Sequence, residues 1–313
     1  MNKEILGTLL AIITALISGV AIVANKIFIV DMEPAVFTAI RALIIGIGFM
    51  IIMLLTGNSK KAKRKTGRKI SRKTTRKMTW IYLLSIGIIG GAFAFLLFFS
   101  GLKLTTGGNA AFLHKTMPLY IAVLAFIFLK EKITGNHIFA MFLMIIGTLS
   151  IYMAVIEPSI LWLDPSLGNL LVIGATLFWA IETIIAKKVM KDGESNFVVS
   201  FARMFIGAIV LFSFIAVTGS IESLLSITQQ QILNLSISTA ILFAYVFCWY
   251  YSIKLISVSK ASTLLLLAPV VSMILCTIIL GEPITALQLF GSALILAGSY
   301  IVIKIRSNLA TGV

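Results

Sequence analysis

Long apolar segments alternate with short polar connections along this chain from one end to the other. We place ten such segments at 6–30, 34–55, 79–101, 107–128, 136–155, 168–187, 196–217, 232–253, 262–280 and 286–304. A helix of about 20 apolar residues crosses the roughly 30 Å hydrocarbon core of a bilayer. Stretches such as LLSIGIIGGAFAFLLFFSG lack the polar face that a helix of a soluble bundle needs. The pattern predicts an all-α membrane protein with ten transmembrane helices.

Composition and charge agree with this prediction and give it an orientation. Hydrophobic residues make up 59% of the 313 residues and charged residues only 12%, whereas about a quarter of the residues in soluble domains are charged. Most Lys and Arg residues lie on the side of the amino terminus, and the connections on the other side hold only Lys103. The positive-inside rule therefore predicts a multi-pass plasma-membrane protein with both termini in the cytoplasm. This topology accounts for most of the formal net charge of +15.

The longest basic stretch is RKTGRKISRKTTRK, at 64–77, inside the loop 56–78. Its like charges repel one another at helical spacing, and anionic lipid headgroups would relieve that repulsion by about 1 kcal/mol per basic residue. No aromatic residue lies among the charges to stack on bases. We therefore expect residues 60–77 to contact the lipid surface, and we expect no nucleic-acid partner.

The second half of the chain repeats the first. Residues 101–150 align with 252–301 without a gap, and shared hydrophobicity does not explain the matches Lys103/Lys254, Pro118/Pro269, Glu131/Glu282, Thr134/Thr285 and Gly147/Gly298. The first two segments of each half also align, with Arg41 opposite Arg203. We predict two five-helix repeats, 6–153 and 167–305. Because five is odd, the second repeat begins on the opposite side of the membrane, so the two are inverted, as in many secondary carriers.

Ten segments, two five-helix units and the Glu-x-Ile-Thr hairpins followed by Gly147 and Gly298 resemble the EamA-type branch of the drug/metabolite transporter superfamily. The resemblance covers nearly the whole chain. It implies a proton- or gradient-linked carrier, commonly an exporter of amino acids or other small metabolites. It also implies a central cavity lined mainly by helices 1, 3, 4, 6, 8 and 9, with helices 5 and 10 at the periphery.

The hairpins LKEKIT and LGEPIT each place a glutamate in a short turn between two apolar segments. Thr134 and Thr285 are suited to cap the helix that follows, and Gln288 completes a capping box with Thr285. A carboxylate beside a helix amino terminus is favoured by the helix dipole. We therefore interpret Glu131 and Glu282 as stabilising their own hairpins, with gating or proton transfer as the alternative.

An ionisable residue buried in a segment needs a partner or a wet cavity, and the candidates for such a site are Arg41, His114, Lys115, Glu182 and Arg203. At 1.5 Å per residue, Glu182 and Arg203 lie at similar depth and are predicted to pair, whereas no acidic residue in a segment can meet Arg41 or Lys115. Arg41 and Arg203 occupy equivalent positions, so we assign them to the scaffold or its gates. Lys115, His114 and Glu182 break the symmetry and are candidates for substrate binding, although Lys115 could instead extend to the headgroups. We expect only one of the neighbours His114 and Lys115 to face the cavity.

Aromatic residues are the remaining candidates for the cavity wall: Phe95, Phe99, Trp179, Tyr245 and Trp249, with Trp249 alternatively an interfacial anchor. Pro118 and Pro269 lie near the middle of equivalent helices, where a freed carbonyl permits a bend that would suit moving halves. Small residues seven apart in the fifth and tenth helices (Ala140 and Gly147; Gly291 and Gly298) favour close packing, within or between subunits.

These features favour a carrier of a small organic metabolite with a carboxylate, amino acids first, with protons as the candidate coupling ion. A drug, lipid or organic-cation carrier on the same fold is the nearest alternative, because aromatic walls with Glu182 would also suit a cation. A channel or a membrane enzyme is less consistent with the sequence. The two histidines lack metal spacing, the two cysteines lie in separate segments, and no P-loop of the form GxxxxGK[ST] is present. We expect neither enzyme activity nor a cofactor or metal.

Overall fold

The computed structural model describes residues 2–28, 32–56, 72–153, 167–219 and 222–306. Within these residues it contains ten helices long and apolar enough to cross a membrane, which confirms the predicted number. They are α1 (Lys3–Phe28), α2 (Pro34–Thr56), α3 (Met78–Leu102), α4 (Gly107–Leu129), α5 (Gly135–Tyr152), α6 (Leu167–Lys191), α7 (Asn196–Val217), α8 (Gln229–Leu255), α9 (Val258–Leu280) and α10 (Ala286–Lys304). Of the basic segment 60–77 that is predicted to contact lipid, residues 60–71 lie outside the described residues, and only the backbone is described at 72–77.

Several helices extend beyond the apolar segments that predicted them. The helix that contains α3 begins at Arg72, α8 begins at Gln229 and α9 begins at Val258. A helix end includes polar residues when they cap it or extend into water, and hydropathy alone does not register them. At α8, for example, Thr228 and Gln231 form a capping box.

Two helices contain π-helical turns, and these lie against each other. The turns are Ile86–Phe93 in α3 and Ala202–Ile206 in α7. Glycines make the contact possible, because a Cβ on Gly91 would meet the backbone oxygen of Arg203, and one on Gly207 would meet the backbone of Gly91. π-helical turns are rare in proteins, and those that occur are often found at functional sites. The turn in α7 contains Arg203, which is buried.

The equivalent helices α4 and α9 are both interrupted next to a proline. In α4 the break lies at Thr116, and a new helical segment begins at Met117 with Pro118 in its first turn. In α9 a 3₁₀ turn covers Leu265–Leu267, and Pro269 lies in the first turn of the segment after it. The irregularity predicted at these prolines is present, and a role for them in gating stays a prediction.

α5 packs along α10 through the predicted small residues, within one chain. A Cβ on Gly147 would lie 2.5 Å from the backbone oxygen of Gly291, and a Cβ on Gly291 would lie 2.5 Å from that of Gly147. Gly298 similarly faces the backbone oxygen of Ala140. Small side chains therefore let the two helix backbones touch. Because α5 closes the first five-helix unit and α10 closes the second, this contact joins the two units.

We call the end of the bundle where α1 begins the amino-terminal end, and the end where α1 finishes the distal end. Two buried lysines seal the amino-terminal end. Lys187 of α6 donates to backbone carbonyls at the end of α8, including that of Ile256 at 2.8 Å. Lys260 of α9 forms an ion pair with Glu4 at 2.7 Å and donates to the Ile305 carbonyl at 2.6 Å. Cations at helix carboxyl ends are favoured by the helix dipole, so these contacts bind α6 to α8, and α9 to α1 and α10.

Glu131 lies at the same end, and its contacts show that the interpretation of this residue as stabilising its own hairpin was wrong. Thr134 caps α5 as predicted, accepting from the His137 N–H. The Glu131 carboxylate does not bond to its own hairpin, because it accepts from the Val258 N–H at 2.9 Å and from the N–H and hydroxyl of Ser259. It is buried and caps α9, which follows in the other repeat. Sequence distance concealed this partner, since 127 residues separate Glu131 from Val258.

Candidate functional site

A cavity of about 730 Å³ lies in the centre of the bundle and extends to the distal end. Its rim at that end includes Gly107 and Gly108 at the start of α4, and Glu282, Pro283 and Gln288 around the α9–α10 hairpin. All eight residues that the sequence nominated for substrate binding line it: Phe95, Phe99, His114, Lys115, Trp179, Glu182, Tyr245 and Trp249. Arg41 and Arg203 line it as well. The volume suits a small organic molecule.

Aromatic rings form one wall of the cavity, around Trp179 of α6. Phe95 meets Trp179 edge to face with 5.1 Å between centroids, and His114 does so at 4.9 Å. Phe98 is 5.5 Å from the indole and 5.8 Å from the His114 ring. The indole N–H donates to the Gly90 carbonyl at 3.0 Å, which fixes the ring. The wall therefore presents ordered π faces and edges rather than mobile side chains.

The predicted pair of Glu182 and Arg203 is present, with a tyrosine between its members. The Tyr250 hydroxyl donates to Glu182 at 2.5 Å and accepts from Arg203 Nη1 at 3.4 Å. The direct distance from Arg203 Nε to the carboxylate is 4.0 Å. Gly90 of α3 makes room, because a Cβ there would collide with the Glu182 side chain. The carboxylate is thus compensated before any ligand enters.

The other two cations of the cavity have neutral partners among the described residues. Lys115 Nζ donates to Ser18 Oγ at 3.4 Å. Arg41 donates to Ser238 Oγ at 2.7 Å and to Asn25 Oδ1 at 3.4 Å, and its guanidinium lies 4.1 Å from the centre of the Phe37 ring. Both residues are buried. Among the described residues that line the interior of the cavity, positive charge therefore exceeds negative charge, since Glu282 is exposed at the rim.

One expectation about helix faces was wrong. His114 and Lys115 both line the cavity, because it extends around a broad face of α4 that also includes Gly107, Ala110 and Ala111. Trp249 is buried in the cavity wall at 2% exposure, which agrees with its prediction as a cavity residue and not with the alternative of an interfacial anchor.

The cavity also involves more helices than expected from the resemblance. Arg41 of α2 and Arg203 of α7 line the cavity, and so do Tyr152 and Gln288 at the distal ends of α5 and α10. α5 and α10 reach the cavity at their distal ends, and α2 and α7 reach it within their length, so a simple division into central and peripheral helices does not describe them.

Sequence reasoning missed several polar residues near the charges. They are Ser18, Asn25, Ser238 and Tyr250, of which the first three line the cavity. A signal was available, because hydroxyl and amide side chains in transmembrane helices tend to bond across helices. Within the described part of the chain, no group of three or more His, Cys, Asp or Glu is placed to hold a metal ion.

Comparisons with known proteins agree with this architecture. The model of the EamA-like transporter family matches residues 5–153 and 166–304. "Uncharacterized transporter YyaM" of Bacillus subtilis is 30% identical over 80% of this chain and 77% of its own length. The "Probable amino-acid metabolite efflux pump" of Salmonella typhimurium is 26% identical over 67% of this chain and 72% of its own.

A solved crystal structure shares the fold with a TM-score of 0.73 and 17% identity, covering 95% of this chain and 96% of that one. The family match extends across both five-helix units, and the ten helices and the central cavity are those of a multi-pass membrane transporter. The chain belongs to the EamA-like transporter family.

Proposed function

We propose that this protein is a secondary carrier that exports an amino acid or a related small carboxylate across the plasma membrane by alternating access, with both termini in the cytoplasm. The observation that carries the proposal is the charge of the cavity. Lys115 and Arg41 point their cations into it with only hydroxyl and amide partners among the described residues. A substrate carboxylate would supply the missing countercharge through charge-assisted hydrogen bonds.

The aromatic wall supports an amino acid as the substrate. An ammonium group is attracted to the faces of Trp and Phe rings, and Trp179 lies in the same cavity as Lys115. A zwitterion could therefore place its carboxylate at Lys115 and its ammonium against Trp179 and Phe95. The "Probable amino-acid metabolite efflux pump" of Salmonella typhimurium agrees with this class of substrate and with export.

The closure of one end supports alternating access. The cavity reaches the distal end, while the amino-terminal end is sealed by Lys187, Lys260 and Glu131. If the termini are cytoplasmic, this is the outward-open state. Inverted five-helix units can exchange their conformations, which would convert it to an inward-open state.

The contacts that Glu182 already makes within the protein argue against an organic-cation carrier. A cation would have to compete for this carboxylate with Arg203 and with the hydroxyl of Tyr250. Screening the purified protein for thermal stabilisation decides between the classes, because a ligand that binds the folded state raises its melting temperature. We expect amino acids and organic acids to stabilise the protein. Stabilisation by hydrophobic cations alone would contradict the proposal.

The second test is uptake into vesicles with Lys115→Met, which keeps the volume of the side chain and removes its charge. We expect transport of the stabilising substrate to fall about tenfold or more, since a hydrogen bond to a charged group is worth about 1.5–3 kcal/mol. Lys103→Met is the matched control, because Lys103 is exposed at the distal end beside Glu33. Equal transport by the two variants would remove Lys115 from the binding site.

A further inference from the structure

The two Glu-x-Ile-Thr hairpins have the same backbone, although they lie at opposite ends of the bundle. Each helix before the turn ends on a left-handed residue, Lys130 (φ 53°) in one and Gly281 (φ 70°) in the other. The next residue, Glu131 or Glu282, bonds its N–H to the carbonyl six residues earlier, at 3.1 Å and 3.5 Å. These pairs are equivalent under the 151-residue repeat, so the two glutamates start from equivalent positions.

The carboxylates nevertheless have different surroundings. Glu131 is buried at the closed amino-terminal end and bonds to Val258 and Ser259, the first residues of α9. Glu282 is exposed at the open distal end and lines the rim of the cavity. The repeat makes Val258 and Ser259 equivalent to Gly107 and Gly108, the first residues of α4.

Gly107 and Gly108 line the same cavity as Glu282. At the open rim the cavity therefore separates Glu282 from the start of α4. At the closed end the equivalent groups, Glu131 and the start of α9, are bonded to each other. The amino terminus of α4 has N–H groups without partners in its own helix, as every helix has, and a carboxylate is favoured there. Thr106 caps the Asn109 N–H, which leaves the N–H groups of Gly107 and Gly108 for another acceptor.

We infer that Glu282 is the residue that closes the distal end of the cavity, by accepting hydrogen bonds from the Gly107 and Gly108 N–H groups when the carrier changes state. The Glu131 contact with α9 breaks in the same step, so the two glutamates hold alternate ends. The inference rests on the proposed alternating access. It makes Glu282 a gate residue with a stated partner, rather than a support for its own hairpin.

A native cysteine reports the state of the distal end. Cys276 is partly exposed and lines the cavity, whereas Cys248 is buried and is removed as Cys248→Ala. The experiment measures the rate at which a charged, membrane-impermeant maleimide labels Cys276 in the full-length protein in lipid vesicles. An open distal end gives fast labelling and a closed one gives slow labelling.

Glu131→Gln weakens the closed amino-terminal end and should transfer the protein to the state closed at the distal end. We expect labelling of Cys276 to slow about fivefold or more, because a hydrogen bond to a charged group changes an equilibrium about tenfold. Ser259→Ala removes one donor to the same carboxylate and should give a smaller change in the same direction. It guards against a Glu131→Gln protein that is merely poorly folded.

The decisive comparison adds a second change at Gly107 to Glu131→Gln. Gly107→Pro removes the N–H at the first helical position, where proline is tolerated, and Thr106 has the extended backbone (φ −75°, ψ 150°) that a following proline requires. Gly107→Ala keeps the N–H, and nothing lies within 4 Å of its added Cβ. In the Glu131→Gln protein, we expect Gly107→Pro and Glu282→Gln each to restore fast labelling of Cys276. We expect Gly107→Ala to leave the labelling slow.

Equal labelling of the proline and alanine variants would overturn the assignment of Glu282 while leaving alternating access intact. Labelling that Glu131→Gln does not slow would overturn the exchange of states itself, and with it the proposed mechanism of transport. Glu222→Gln, another exposed carboxylate at the distal end, should not restore labelling. Restoration by that variant would also contradict a specific contact of Glu282.

Discussion

Arg41 and Arg203 occupy equivalent positions in the two repeats but have different surroundings. Arg203 lies in a π-helical turn of α7, where it faces Glu182 and the hydroxyl of Tyr250. Arg41 lies in a regular part of α2, and its hydrogen-bond partners are Ser238 and Asn25, both neutral. Both arginines line the same cavity. Duplication therefore set the place of each guanidinium, and later divergence of its neighbours set its electrostatic role.

The difference divides the cavity into a compensated region and an uncompensated one. At Arg203 the charges cancel within the protein, so that region can hold three helices together without a ligand. At Arg41 the positive charge has no acidic partner among the described residues, so that region retains attraction for an anion. The symmetric fold thus contains a cavity whose charge distribution is asymmetric.

The largest expected effect comes from breaking the compensated region with Glu182→Gln. This change leaves Arg203 buried without a countercharge, which in buried ion pairs costs about 3–5 kcal/mol. A strong fall in the melting temperature of the purified protein is expected, and the double variant with Arg203→Gln should recover part of it. Unchanged stability and unchanged pH dependence of transport would exclude both the ion pair and a proton-carrying role for Glu182.

A smaller effect is expected from Tyr250→Phe, which removes the hydroxyl between the two charges and keeps the ring. Hydrogen bonds to charged groups contribute about 1.5–3 kcal/mol, and Tyr250 is fully buried, so water cannot easily replace them. Thermal unfolding measures the loss. Tyr300→Phe is the control, because Tyr300 is 60% exposed, and an equal change in both variants would contradict the bridging role.

The smallest effect is expected at the uncompensated region with Ser238→Ala. Arg41 loses its 2.7 Å hydrogen bond to the hydroxyl but keeps Asn25 and the Phe37 ring. Water in the cavity can take the place of the hydroxyl, so we expect a loss of about 1 kcal/mol or less in thermal unfolding. Ser236→Ala on the exposed face of α8 gives the baseline. A loss as large as that of Glu182→Gln would show that the two regions are not different.

The sequence predicted features that depend on composition and on depth along single helices. The ten spans follow from apolar length, and the pairing of Glu182 with Arg203 follows from equal depth. It could not predict the placement of Tyr250 between them, since that depends on the rotation of α8 about its axis. It missed the bonds from Glu131 to α9 for a related reason, because two of the three donors are backbone N–H groups, which carry no signature in the side-chain pattern.

The π-helical turns illustrate a second limit of the sequence. The stretch IGIIGGAF in α3 has glycines that predict close packing, but nothing in it distinguishes a π turn from an α turn. The turn depends on the fit between α3 and α7, where Gly91 and Gly207 touch. Features that arise from two helices together require the tertiary structure.

The contact between α5 and α10 restricts how the molecule can change shape. Gly147 and Gly291 hold the two backbones so close that one helix cannot slide along the other by a residue without collision. A side chain added at either glycine would therefore force α5 and α10 apart, and with them the two units that these helices close.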